Sequence, residues 1–228
     1  MNVLEHLEPK SVFRFFEEMC AIPHGSRNTK AVSDWCADFA RARGLEYHQD
    51  GDNNIIIIKE AAPGYEAAPP VILQGHLDMV CEQTADCQKD MSREGLDLAV
   101  DGDFVYAKGT TLGGDDGIAV AMALALLDAE GLPHPRLEAV FTVDEEIGLL
   151  GAASIDVTPL KGRQMLNLDS EAEGIFTVSC AGGNTSACLL PLTRAPFDGA
   201  GVTVAVGGLT GGHSGAEIHK GRANANVL

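Results

Sequence analysis

Three short apolar runs in this chain each end abruptly on acids or a histidine. Val71-Ile72-Leu73-Gln74 leads into Gly75-His76-Leu77-Asp78, Leu137 to Val143 into Asp144-Glu145-Glu146-Ile147-Gly148, and Gln164 to Leu168 into Asp169-Ser170. A fourth acidic segment, Gly113-Gly114-Asp115-Asp116-Gly117, is a Gly-rich turn that opens a long apolar helix, Ile118 to Asp128. The apolar runs have the length and content of buried strands, and they alternate with helical segments. That order predicts an α/β fold with a mostly parallel sheet and flanking helices. Ligands of such sheets bind beyond the carboxyl ends of the strands, and all four segments fall there.

Around this frame the spacing predicts further elements. Ser11 to Cys20 reads as a helix capped by Ser11, with Val12, Phe15, Phe16 and Met19 on its apolar face. A second helix runs from Lys30 to Arg43 and stops at Gly44. Four consecutive isoleucines mark Asn54 to Lys59 as a strand, and Gly148 to Ile155 reads as a helix. After Gly182-Gly183 the texture changes. Ser186 to Leu192 and Val202 to Val206 are β-rich, Gly207 to Gly215 is glycine-rich, and a helix opens near Asn224. The expected division is residues 1–183 and 184–228. Because Leu228 falls inside that last helix, the chain is expected to be an N-terminal portion of a longer protein.

With 45% hydrophobic residues, 228 residues can bury a substantial core. The 33 acids against 16 basic residues give a formal charge of −17, which argues against nucleic acid or an anionic membrane as partner. Most of these acids are expected on solvated surface, and clustered ones favour cations. Cys20, Cys36, Cys81, Cys87, Cys180 and Cys188 form no CxxC pair and read as buried free thiols of a reducing compartment. No signal-length or membrane-length apolar run is present, so the expected location is cytoplasmic.

His76 and Asp78 lie two apart and point to one side if the strand continues. They are either two metal ligands, or a ligand histidine with a carboxylate that fixes its tautomer. The two acids of Gly114-Asp115-Asp116-Gly117 sit at a helix N-terminus and would repel a phosphate. Capping is the simple reading of Asp116. Three adjacent acids, Asp144-Glu145-Glu146, repel one another, and a dication would relieve this. Adjacent residues diverge, so one Glu can bind metal while its neighbour acts as general base. Together, His76, Asp115, Glu146 and Asp169 offer mixed N/O ligation that suits zinc and admits manganese or cobalt, the equipment for metal-assisted hydrolysis.

Gly75-His76-Leu77-Asp78-Met79-Val80-Cys81, Thr110 to Gly117, Asp144 to Gly148 and Leu166 to Ser170 resemble the signature of the co-catalytic zinc aminopeptidases and deacylases. The resemblance runs through the whole chain in order and spacing. It implies a zinc-exopeptidase-like catalytic domain over residues 1–183 and the beginning of an α+β lid or dimerisation domain over 184–228. It implies two divalent metals bridged by Asp115, one site completed by His76 and Asp169, the other using Glu146. Glu145 is then the general base, and Asp78 orients His76. Gly211-Gly212-His213-Ser214-Gly215 resembles the family's lid segment, which makes His213 a candidate for oxyanion stabilisation and His219 a weaker one. Arg222 and Asn224 would organise that loop. The implied substrates are unblocked dipeptides, Xaa-His among them, and the implied assembly is a homodimer. The family's last ligand, a distant C-terminal histidine, has no counterpart here, so this 228-residue chain is expected to be inactive or nearly so. A related tripeptidase or N-acyl amino acid deacylase, or a non-catalytic binding module, is the competing reading.

Overall fold

The computed structural model describes residues 3–170, 174–180, 182, 186–212 and 217–228. The chain forms two compact units, Met1–Val178 and Ser179–Leu228.

In the first unit, α1 (Lys10–Cys20) and α2 (Lys30–Ala42) precede β1 (Glu46–Gln49), β2 (Ile55–Lys59) and β3 (Val71–His76). A hairpin of β4 (Leu98–Asp101) and β5 (Phe104–Ala107) leads to α3 (Gly114–Asp128), β6 (Leu137–Thr142), α4 (Leu150–Ser154) and β7 (Gln164–Asn167). The main sheet has the order β1-β2-β6-β3-β7. The pairs β1–β2 and β2–β6 are antiparallel, whereas β3–β6 and β3–β7 are parallel. Four strands therefore point one way and only β2 is reversed, in agreement with the expected α/β class. The registers His76↔Thr142 and Gln74↔Asn167 align the carboxyl ends of β3, β6 and β7 along one edge.

The sheet is covered on both faces. Ile55 and Ile57 join Phe15, Phe16, Val32, Phe39, Val120 and Leu124 in the main core under the long helices. Ile56 and Ile58 turn to the other face, with Ile72 and Val140, against Ile155 and Leu160. Burial on both faces explains the unbroken isoleucine run, because alternation is lost when neither face meets water.

Four expectations need correction. Ser11 does not cap α1. The cap is Pro9 (φ −75°, ψ 128°), with Ser11 already inside the helix, because proline's fixed φ suits the start of a helix. Among the described residues, 186–192 and 202–206 form no strand. Leu189, Leu190, Leu192, Val202 and Val204 are highly exposed, and a strand needs both a pairing partner and a face to bury. Asn224 opens a single turn, closed by the Val227 N–H to its carbonyl at 3.0 Å. The six cysteines are unpaired as expected, but only Cys20 and Cys36 are buried. Burial pushes the Cys20 thiol up to about 12, aided by the nearby Glu17 charge.

One charged residue sits inside the sheet. Glu138 of β6 is fully buried and accepts bonds from Arg136 Nε (2.7 Å) and from the backbone amides of Lys161 (2.9 Å) and Gly162 (2.9 Å). Arg136 also pairs with Glu60. Glu138 therefore anchors the turn that delivers β7. Burial opposes its charge, but Arg136 and the two amides prevail and hold its pKa below the ordinary 4.5. A lowered native pKa stabilises the fold fully above the unfolded value, and the contribution drains as pH falls through the native one. Glu138→Ala leaves Arg136 with Glu60 alone and strips the Lys161 and Gly162 amides of their acceptor, and should cost about 3 kcal/mol at neutral pH, while Glu138→Gln should flatten the acid limb of the stability curve. Urea unfolding between pH 3 and pH 7 measures both.

Candidate metal centre

The centre lies at the carboxyl edge of the sheet. His76 ends β3 and is 1% exposed. Its Nδ1 meets the backbone carbonyl of Asp78 at 2.9 Å. With Nδ1 turned to that carbonyl, Nε2 faces outward, 3.0 Å from Asp115 Oδ1 and 3.9 Å from Glu145 Oε2. The Asp78 carboxylate lies beside the same ring and also braces the acidic loop. Its Oδ1 lies 3.5 Å from His76 Nδ1 but accepts the Glu145 N–H at 3.0 Å. Its Oδ2 accepts the Ser26 hydroxyl at 2.8 Å and the Glu146 N–H at 3.4 Å. Asp78 thus orients His76 mainly through its main chain and holds the acidic loop through its side chain.

That loop is braced twice more. Asp144 adopts a left-handed φ of 54°, and its Oδ1 accepts the Arg27 N–H at 2.6 Å. Buried Asn54 accepts the Val143 N–H at 3.1 Å, fixing the point where β6 ends. Such a conformation in a non-glycine residue persists only where its surroundings over-determine it.

Asp115 and Asp116 precede the regular part of α3. Both have non-helical dihedrals, Asp115 at φ −81°, ψ 108° and Asp116 at φ −116°, ψ 25°. The turn is set by Gly113 at φ 67°, where a Cβ would come within 2.8 Å of Met79 Sδ. Asp115 is exposed toward the centre. Asp116, read from the sequence as a helix cap, is instead buried at 2% exposure, and its Oδ2 accepts the His76 N–H at 3.2 Å. Gly75 makes this possible, since a Cβ there would lie 2.6 Å from Asp116 Oδ2. No signal within Gly114-Asp115-Asp116-Gly117 marked this role. The glycine just before His76 was the available hint.

Two donor groups result. One atom each from His76, Asp115 and Glu146 lie within 4.8 Å of one another, and so do atoms from Asp115, Asp116 and Asp169. Asp115 is common to both. Glu146 stands with His76 in one group, and Asp169 with Asp116 in the other. Pairing of β7 with β3 runs to Asn167, and the Leu168 N–H still donates to the Gln74 carbonyl at 3.2 Å, which carries Asp169 to the sheet edge. His213 lies outside the described residues. In the second unit, Arg222 pairs with Glu217 at 2.7 Å and with the Gly211 carbonyl, the loop-organising part expected of it.

The electrostatics are those of crowded acids. Burial raises the pKa of Glu145; the charges of Asp169, Asp115 and Asp78 add to this, and His76 opposes it. Burial likewise raises Glu146, helped by Asp115 and Glu145. Asp116 is pushed up to about 7, by burial first, with Asp169 and Asp115 adding to the rise. Burial alone would lower His76, but Asp78, Asp116 and Asp115 outweigh it and carry it to about 10. One imidazole nitrogen and several carboxylate oxygens this close fit a divalent cation with N/O preference.

Comparison with known proteins agrees with this geometry. The cytosol non-specific dipeptidase of Escherichia coli is 39% identical over 232 aligned residues, covering 100% of this chain and 47% of that protein. The crystal structure of aminoacylhistidine dipeptidase from Vibrio alginolyticus superposes with a TM-score of 0.75 at 34% identity, covering 98% of this chain and 46% of that one. A tripeptidase from Staphylococcus aureus shares the fold, with a TM-score of 0.60 at 22% identity over 72% of this chain and 44% of its own. The chain thus spans about half the length of the relatives that it matches. Residues 72–186, a stretch that begins on β3 and includes every acid of the two donor groups, match the description "Peptidase family M20/M25/M40", and the chain belongs to that family.

Proposed function

We propose that this chain carries most of the catalytic centre of a metal-dependent dipeptidase that cleaves unblocked dipeptides, Xaa-His among them. The observation that carries this reading is Asp115, shared by two donor groups, with the Glu145 carboxylate beside it. The relatives' names, one a non-specific and one an aminoacylhistidine dipeptidase, support the substrate class.

His76, Asp115, Glu146 and Asp169 would hold two divalent ions, with zinc first and cobalt or manganese as alternatives. Bound there, the ions would polarise the scissile carbonyl and sharpen a water for attack. Glu145 takes the proton from that water, and the Asp78 bond to its backbone N–H keeps its carboxylate on the reacting side. The Asp78 carbonyl keeps the His76 ring in the tautomer with a free Nε2. His213, by resemblance, steadies the developing oxyanion. Among the described residues no helix is long and apolar enough to cross a membrane. The name of the Escherichia coli relative supports a cytoplasmic location, and the lid-like segment supports a homodimer.

The test is zinc-dependent hydrolysis of Ala-His by the full-length protein beside N-acetyl-ornithine. Cleavage of Ala-His alone is expected. Cleavage of only the acylated substrate would move the protein to the deacylase branch.

A further inference from the structure

A cleft of about 450 Å³ opens beside the metal centre, within the usual range of small-molecule sites. Its wall toward the centre is Glu146 and Ile147, and its floor is Met79 and Met91, which are 2% and 9% exposed. Met79 follows the His76–Asp78 segment directly, so the floor and the donor groups share one piece of backbone. Cys81 and Gly25 close another side; a Cβ at Gly25 would come within 2.5 Å of Cys81 Sγ, so the glycine makes room for the thiol.

Resting on the dipeptidase reading above, we propose that this cleft receives the apolar side chain of the substrate's N-terminal residue. Three observations carry the assignment. A peptide whose scissile carbonyl lies against the Glu146 group has a flanking side chain within reach of the Glu146–Ile147 wall. Beyond that wall the Met79 and Met91 thioethers, the Cys81 thiol and Val80 stand among Ser26, Asn28 and Ser92; the apolar groups reward burial of an apolar side chain, and methionine's flexible, polarisable side chain adapts to occupants of different shape. Apart from Glu146 of the donor group, the charged residue of the lining is Glu82, with no lysine or arginine among the described lining residues. The Glu82 carboxylate attracts the α-ammonium of a free N-terminal residue and repels the α-carboxylate of a C-terminal one.

The experiment compares kcat/KM for Ala-Ala, Leu-Ala and Phe-Ala with the mirrored Ala-Leu and Ala-Phe, using the zinc-loaded full-length protein, Met91→Ala and Ile147→Trp. Ile147 is 40% exposed, so its replacement spares the core. Ile147→Trp should lower the Leu-Ala to Ala-Ala ratio roughly tenfold, the discrimination that one or two methylenes give in an apolar pocket. Met91→Ala should raise the Phe-Ala to Ala-Ala ratio. The Ala-Leu to Ala-Ala ratio should stay within about twofold, well under that pocket effect. A change confined to the mirrored series, or equal loss on every substrate, overturns the proposal. A second readout needs neither turnover nor a folded variant. With ¹³C-labelled methionine methyls, L-leucinamide should shift Met79 and Met91, and N-acetyl-L-leucinamide, which lacks the ammonium, should not. Absent or equal shifts overturn the assignment. If the unsubstituted protein cleaves no dipeptide, the dipeptidase reading falls, and the methyl titration alone decides the cleft.

Discussion

Replacing Glu145 with Gln should lower kcat for Ala-His by about three orders of magnitude, within the range for loss of a positioned general base, while the zinc content stays at the unsubstituted level. The separation of the two readouts follows from the geometry. Both donor groups are complete without Glu145, which stands beside them at 3.9 Å from His76 Nε2. Its backbone is held by Asp78 through an N–H that glutamine also has, so the side chain should keep its place and lose only its basicity. Full activity in the variant would remove Glu145 from the role of base. Loss of zinc along with activity would make it a ligand instead. Steady-state kinetics with metal analysis on the same preparation distinguishes these.

Asp115→Asn should have the larger effect on binding. Asp115 is the one residue common to both donor groups, so the substitution should reduce the number of zinc ions retained after dialysis from two toward zero and abolish turnover with them. Calorimetric titration of the metal-free protein should show zinc affinity down by at least about a hundredfold, a loss reached even by outer partners of metal ligands. Asp169→Asn touches one group only and should leave one ion in place. Equal stoichiometry in the two variants would refute the shared role of Asp115.

The sequence made the strand ends legible for a physical reason. A buried parallel strand must be apolar until it reaches the sheet edge, so the first polar residues after it mark the edge and face any ligand there. His76, the Asp144–Glu146 loop and Asp169 were found in that way. Features that depend on contacts between distant segments were not legible. Asp116 looked like a cap because its partner, the His76 N–H, lies 40 residues away. Asp78 was read for its side chain, yet its carbonyl meets the imidazole, and the carboxylate ties together Ser26, Glu145 and Glu146. The edge strand β1, Glu-Tyr-His-Gln, and the β4–β5 hairpin passed unnoticed because partly solvated strands lack an apolar run. Leu189 and Val204 show the reverse: β-favouring composition with no ladder to join among the described residues.

Gly75 has a bearing on how such a chain can vary. Every other amino acid there would bring a Cβ to about 2.6 Å from Asp116 Oδ2, so a replacement has to displace the carboxylate that accepts the His76 N–H, although the position itself carries no functional group. The centre therefore depends on an empty volume as well as on its acids. A survey of tolerated mutations that scored only reactive side chains would misjudge where the site is most fragile.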